Sequence, residues 1–213
     1  MVTRNKDGER QTKERSKSTV NRDMVPLRAA LGQVLRPGTP KTDSAWQEAL
    51  CPVKGADKRR SLYLDRNERT KLIDAADIGV RPFIRGLCLL PLLPGVLARF
   101  KVGDFDVRTR TLAIGTDKDS KPRQIAIPQI TADFFAEHVR DKLPAALIFA
   151  RAGGGAWDKD AWKTPVKNAV RAAGLPGAAS AYTLRHSVIT DLIRASLPIL
   201  TVAQLSGTSV TMI

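Results

Sequence analysis

A chain of 213 residues has room for one good-sized core, and 35 Lys and Arg against 21 Asp and Glu leave it a formal net charge of +14. That excess favours a polyanionic partner, most economically nucleic acid, while an aromatic content of 5% is too low for a platform that stacks single-stranded bases. No apolar run approaches the ~20 residues of a membrane span, and the charged N-terminus lacks the apolar segment of a signal peptide.

Residues 1–18 are charged and show no hydrophobic period, which predicts a solvated lead-in. Met24, Leu27, Leu31 and Leu35 then recur at three- and four-residue spacing, predicting a helix that Arg36-Pro37-Gly38 closes. A second short helix is expected around Trp46–Leu50, and Cys51 to Arg60, with Pro52, Gly55 and clustered Lys/Arg, reads as a linker. Two helices are too little for an independent core. Cys51 and Cys88 show neither metal spacing nor a pairing logic, and read as reduced cysteines.

From Ser61 the pattern changes. Leu62-Tyr63-Leu64 is a short extended piece, and Asp65 should cap a helix running through Lys71-Leu72-Ile73. Arg81 to Leu93 predicts a buried helix and Gly95 to Val102 a further one. Thr111–Ile114 and Gln124–Ile127 alternate as two strands of a hairpin joined through Asp117–Lys121. Helices follow at about 130–142, 158–173, 183–196 and 198–206. Gly153-Gly154-Gly155 is a turn rather than a phosphate loop, since no Gly-Lys-Ser/Thr follows. This order predicts a mainly α domain with a small antiparallel sheet (α+β), without the βαβ alternation of a nucleotide-binding fold.

The most informative segment is Ala181-Tyr182-Thr183-Leu184-Arg185-His186-Ser187, which sets Arg185 near the start of a helix. There a guanidinium fork and free backbone N–H groups can converge on a phosphate. The competing reading pairs Arg185 with a carboxylate such as Asp191. This segment, with Leu205-Ser206-Gly207-Thr208-Ser209 after it, resembles the tyrosine recombinases of the phage integrase family. The resemblance covers roughly residues 60–213. It implies that residues 59–213 form an integrase-type catalytic domain. Residues 1–58 would then be a remnant of the helical core-binding domain plus a linker.

The family breaks and rejoins DNA strands through a 3′-phosphotyrosyl intermediate, using Arg, Lys, His-x-x-Arg, His or Trp, and Tyr, with no metal or other cofactor. On that pattern Arg185 is the second arginine, and Lys118, five residues before Arg123, is the hairpin lysine that protonates the leaving oxygen. Lys121 and Arg123 join Arg185 and Lys118 as DNA contacts. A hairpin lysine is ordinarily just solvated, so Lys118 gains weight only from its register with Arg185. Tyr182 replaces the family's His; a phenol can donate to phosphate but shuttles protons poorly near neutrality, and its bland alternative is a core aromatic. Thr208 replaces the later His or Trp and is uncharged, while Ser209 reads as a helix cap. His186 reads as structural.

The first arginine is where the match fails. In Leu93-Pro94-Gly95-Val96, with Asp104 and Asp106 holding the register, Leu93 takes the arginine's place and Val96 the glutamate's. Arg99, six residues on, should point away from it. The family's tyrosine is expected near position 217. Tyr63 lies at the domain entry and Tyr182 at the His position; Ser206 or Ser209 is the substitute nucleophile left open, with nothing in the sequence to supply an adjacent base. The expectation is an integrase-like, double-stranded-DNA-binding protein of DNA recombination and integration with impaired or absent cleavage. An apolar groove should lie open where a last helix would pack. The chain is expected in the cytoplasm of a bacterial-type cell, nucleoid-associated, as a homo-oligomer or beside a recombinase partner on DNA. The alternative is a non-enzymatic accessory protein on the same scaffold; general RNA binding is disfavoured by the scarcity of aromatics.

Overall fold

The computed structural model describes residues 2–4, 10–12, 14–34, 43–56, 61–115 and 122–213, and divides the chain into two compact units, Met1–Arg60 and Ser61–Ile213. In the first unit, β1 (Val2–Arg4) and β2 (Arg10–Thr12) pair antiparallel with Val2 opposite Thr12. The sequence predicted an unpaired lead-in here. The β-branched Val2, Thr3 and Thr12 supply the strand preference that a charge-based reading overlooked.

Helix α1 (Lys17–Val34) carries the expected helix with Pro26 inside it, and α2 spans Asp43–Ala49. Leu35 and the predicted Arg36-Pro37-Gly38 closure lie outside the described residues. Asn21 on α1 clamps Val53 from both sides: its Nδ2 donates to the Val53 carbonyl at 3.1 Å and its Oδ1 accepts the Val53 N–H at 2.7 Å. Leu27 is exposed, and no residue of this unit whose side chain is described is buried.

The second unit holds a continuous core. Asp65 caps α3 (Arg66–Ala75) in a capping box: its carboxylate accepts the Glu68 N–H and Glu68 accepts the Asp65 N–H, both at 2.8 Å. Helix α4 (Arg81–Leu89) stops four residues before the predicted Leu93, because Pro91 pushes Leu90 out of the helical region to φ −123°, ψ 138°. Its Gly86 permits a close approach, since a Cβ there would stand 2.9 Å from the Leu97 side chain and 3.2 Å from Phe149.

Helix α5 (Pro94–Leu97) is a single turn rather than the helix predicted to Val102. The backbone beyond it is drawn into pairing with residues 146–148. Phe100 accepts the Ile148 N–H, Val102 donates to Ala146, and Lys101 bridges Leu147. A 3-10 turn at Val102–Asp104 leads to β3 (Phe105–Asp106), β4 (Thr111–Ile114) and β5 (Arg123–Ala126), an antiparallel sheet in that order. The hairpin was expected; β3, two residues long, carries no period to detect.

Helices α6 (Gln129–Val139), α7 (Lys163–Ala172), α8 (Ala181–Arg194) and α9 (Ile199–Ser206) complete the unit, which is mainly α with a small antiparallel sheet. Helix α7 begins five residues later than predicted because the Asp158 carboxylate holds the Asp160 and Ala161 N–H groups in a turn. Phe83 stacks on both Trp157 and Trp162, and Phe134, Phe135 and Phe149 pack ring to ring. Among the described residues no helix is long and apolar enough to cross a membrane.

Candidate phosphate-binding pocket

Helix α8 starts at Ala181, with Ser180 before it donating its N–H to Thr183 Oγ1 at 3.0 Å. Arg185 is therefore the fifth helical residue, one turn past the amide-rich end. Just before it, the Thr183 and Leu184 amides both bond to the Ser180 carbonyl. The Arg185 side chain turns toward two carbonyl groups. Its Nε donates to Pro91 at 3.2 Å, and its Nη2 donates to Ser206 at 3.0 Å.

Ser206 is the last residue of α9, where helix carbonyls lack intrahelical donors and the dipole is negative, so a guanidinium is favoured there. A second guanidinium reaches the same place. Gly207 ends α9 in the left-handed region at φ 67°, and a Cβ on it would come within 2.7 Å of Arg123 Cζ. Arg123 begins β5, so the sheet edge and α8 each send an arginine to the carboxyl end of α9.

These side chains line one pocket of about 1070 Å³. Leu93, Arg123, Arg185 and Thr208 all border it, together with apolar residues that include Ile125, Leu200, Leu205, Val210 and Met212. Four sequence positions spread over more than a hundred residues thus meet at one surface. Leu93 contributes no charge. Arg99 is not part of the lining; its Nε donates to the Gly95 carbonyl at 3.0 Å, one turn back on its own segment.

Other sequence candidates fall elsewhere. Lys118 and Lys121, with the whole Asp117–Lys121 loop, lie outside the described residues. Tyr182 is 40% exposed and is not among the residues lining the pocket. Ser206 is 2% exposed and its hydroxyl donates to Val202 at 2.7 Å, so it is a helix-bound structural group rather than a nucleophile. Ser209 precedes a 3-10 turn at Val210–Met212, with its hydroxyl 2.9 Å from that of Thr211.

The Asp191 alternative resolves in favour of different partners. Its carboxylate is engaged by the guanidinium of Arg69 on α3 and by the Tyr63 hydroxyl, which donates to Oδ1 at 2.7 Å. Burial works to raise the Asp191 carboxyl, but the Tyr63 and Arg69 hydrogen bonds outweigh it and hold it below the usual range. The same hydrogen bond raises the Tyr63 phenol, whose ring lies 4.4 Å beneath the Arg194 guanidinium. Tyr63 is thus a structural residue of α8's docking.

Sequence reading missed Arg69. The signal was present in its phase: Arg69, Leu72 and Ala76 follow each other at three- and four-residue spacing and are all buried, which places a charge on the apolar face of α3.

Comparison with known proteins gives this geometry a lineage. Residues 94–212, more than half of the chain, match the Phage integrase family. The chain belongs to that family. The chain is 29% identical to tyrosine recombinase XerD of Corynebacterium glutamicum over 210 residues, covering 91% of the chain and 67% of the relative.

Among solved structures, it superposes on the Tn1549 transposon integrase in complex with a circular intermediate DNA with a TM-score of 0.77. The match has 16% identity and covers 93% of this chain and 74% of that one. The XerA recombinase matches at a TM-score of 0.62 and 17% identity, over 93% of this chain and 78% of the other. Both likenesses bear on the fold, which is that of a tyrosine-recombinase catalytic domain.

Proposed function

We propose that this integrase-family chain binds duplex DNA by seating a backbone phosphate in the pocket of Arg185, Arg123 and Thr208, and that residues 1–213 by themselves cleave it poorly or not at all. The observation that carries the reading is the presence of Leu93 beside Arg185 in that pocket. An arginine fork can take two phosphate oxygens at once, and Thr208 can add a neutral hydrogen bond. Leucine supplies neither, and the loss of one transition-state donor typically costs about 2.7–4 kcal/mol.

Cleavage by the family's route would also need a tyrosine aimed at the phosphorus. Tyr63 is held by Asp191, and Tyr182 stands outside the pocket lining. Neither serves as that nucleophile in this reading.

Further support for a polyanionic partner comes from α7, where Lys163, Lys167 and Arg171 repeat every four residues on its exposed side. Lys118 and Lys121 add to the positive charge of the hairpin loop. DNA-bound relatives such as the Tn1549 integrase are consistent with a duplex as the partner. In this reading residues 1–58 contribute helical core-binding-domain and linker sequence.

A second reading, an accessory protein that uses the scaffold for assembly, draws on Leu200, Val210 and Met212, which are exposed at the same pocket. Self-association independent of DNA would favour it.

The experiment is to incubate the purified chain with nicked duplex carrying candidate junction sites and to run native and denaturing gels in parallel. Salt-sensitive retention without a covalent band is the expected result. A covalent band would overturn the impaired-cleavage reading, and absence of duplex retention would overturn DNA binding.

A further inference from the structure

Arg69 is 6% exposed, and a buried guanidinium is strongly destabilising unless it is paired. Here its Nη2 meets Asp191 on α8, its Nη1 donates to the Cys88 carbonyl at 3.4 Å, and its Nε donates to the Asp65 backbone carbonyl at 3.3 Å. Cys88 belongs to the last turn of α4, and Pro91, which anchors Arg185, lies three residues further on. Two arginines therefore tie α8 to the same short run of backbone. One, from α3, meets Asp191 and Cys88; the other projects from α8 itself to Pro91.

Replacing a buried ion pair by packed apolar groups is often neutral or stabilising, so global stability alone gives little reason for this pair. What the pair does fix is the position of α8 along and around its axis. Asp191 lies six residues beyond Arg185, about 9 Å along the helix, and Tyr63 holds the second carboxylate oxygen. Ser187, between them, accepts the Leu64 N–H at 2.9 Å and so ties the same helix to the segment that carries Tyr63.

We propose that Arg69, acting through Asp191, is a positioning residue that sets Arg185 in the pocket and thereby tunes phosphate binding. The proposal rests on the reading of Arg185 as a phosphate ligand. It differs from a purely structural role in one respect. Loosening the pair should weaken DNA binding only while Arg185 is present to be misplaced.

The test is a double-mutant cycle on duplex affinity at fixed salt, with full-length chains checked for cooperative melting. Asp191→Asn should weaken binding about fivefold in the native background and leave it unchanged in an Arg185→Ala background. Arg69→Lys, which keeps the charge but not the fork, should give the same background dependence and serves if Asp191→Asn fails to fold. Equal losses in both backgrounds would overturn the positioning role while leaving Arg185 a ligand. If Arg185→Ala itself leaves affinity unchanged, the phosphate reading falls, and the positioning proposal with it.

Discussion

Leu93 and Arg185 line the same pocket, one from the residue that precedes α5 and the other from the second turn of α8. An uncharged side chain and a guanidinium thus share the surface on which a phosphate would rest. Leu93→Arg places a third guanidinium there, beside those of Arg185 and Arg123. It should tighten duplex binding about tenfold and steepen the dependence of log affinity on log salt by about one unit. Titrations at several salt concentrations check this; an unchanged slope would show that position 93 does not face the bound backbone.

Gly207 ends α9 at a positive φ with the Arg123 guanidinium packed against it. Gly207→Ala adds left-handed strain of about 1–2 kcal/mol and displaces that guanidinium. The melting temperature should fall by roughly 2–8 °C and duplex affinity should drop with it. Calorimetry and a binding isotherm on the same sample check both effects. A loss of stability with unchanged affinity would leave Arg123 a structural residue only.

The Asp191 carboxyl sits below its ordinary range in the folded state, through Tyr63 and Arg69 working against burial. A depressed carboxylate binds fewer protons folded than unfolded, so its stabilisation is fully present above the unfolded value of about 3.9. It is lost as pH falls through the lower folded value. Denaturant unfolding at a series of pH values should show the stability gap between the native chain and Asp191→Asn shrinking below about pH 4. A gap that stays constant through that window would mean that the pairing contributes nothing pH-dependent.

Burial pushes the Cys88 thiol up to about 12, leaving roughly one molecule in ten thousand as thiolate at pH 8, whereas Cys51 is exposed. Alkylation of the native protein followed by peptide mapping should label Cys51 within minutes and Cys88 only after denaturant is added. Equal labelling in the native state would show that α4 opens readily.

Much of the second unit was legible because its elements are local. The Asp65 cap, the hairpin strands around residues 111–127 and the last two helices each follow from short-range spacing, turn residues and hydrophobic phase. Errors gathered where the backbone bonds to something distant. Helix α4 ended early because of Pro91, and the helix predicted to Val102 lost its backbone groups to residues 146–148. At the candidate site, the identity of Arg185, Thr208 and Leu93 as one set could be aligned from motif register.

By itself, then, the sequence determined the basic charge, the order of helices and hairpin, and the residues that carry the family resemblance. Those properties live within windows of a few residues. Only the tertiary structure decided that Arg123 and Arg185 meet at the carboxyl end of α9, that Asp191 belongs to Arg69 and Tyr63, and that Tyr182 stays outside the pocket. Each of these depends on which helix ends face one another once the apolar core closes. A guanidinium's partner is set by that packing, and nothing in the spacing along the chain encodes it.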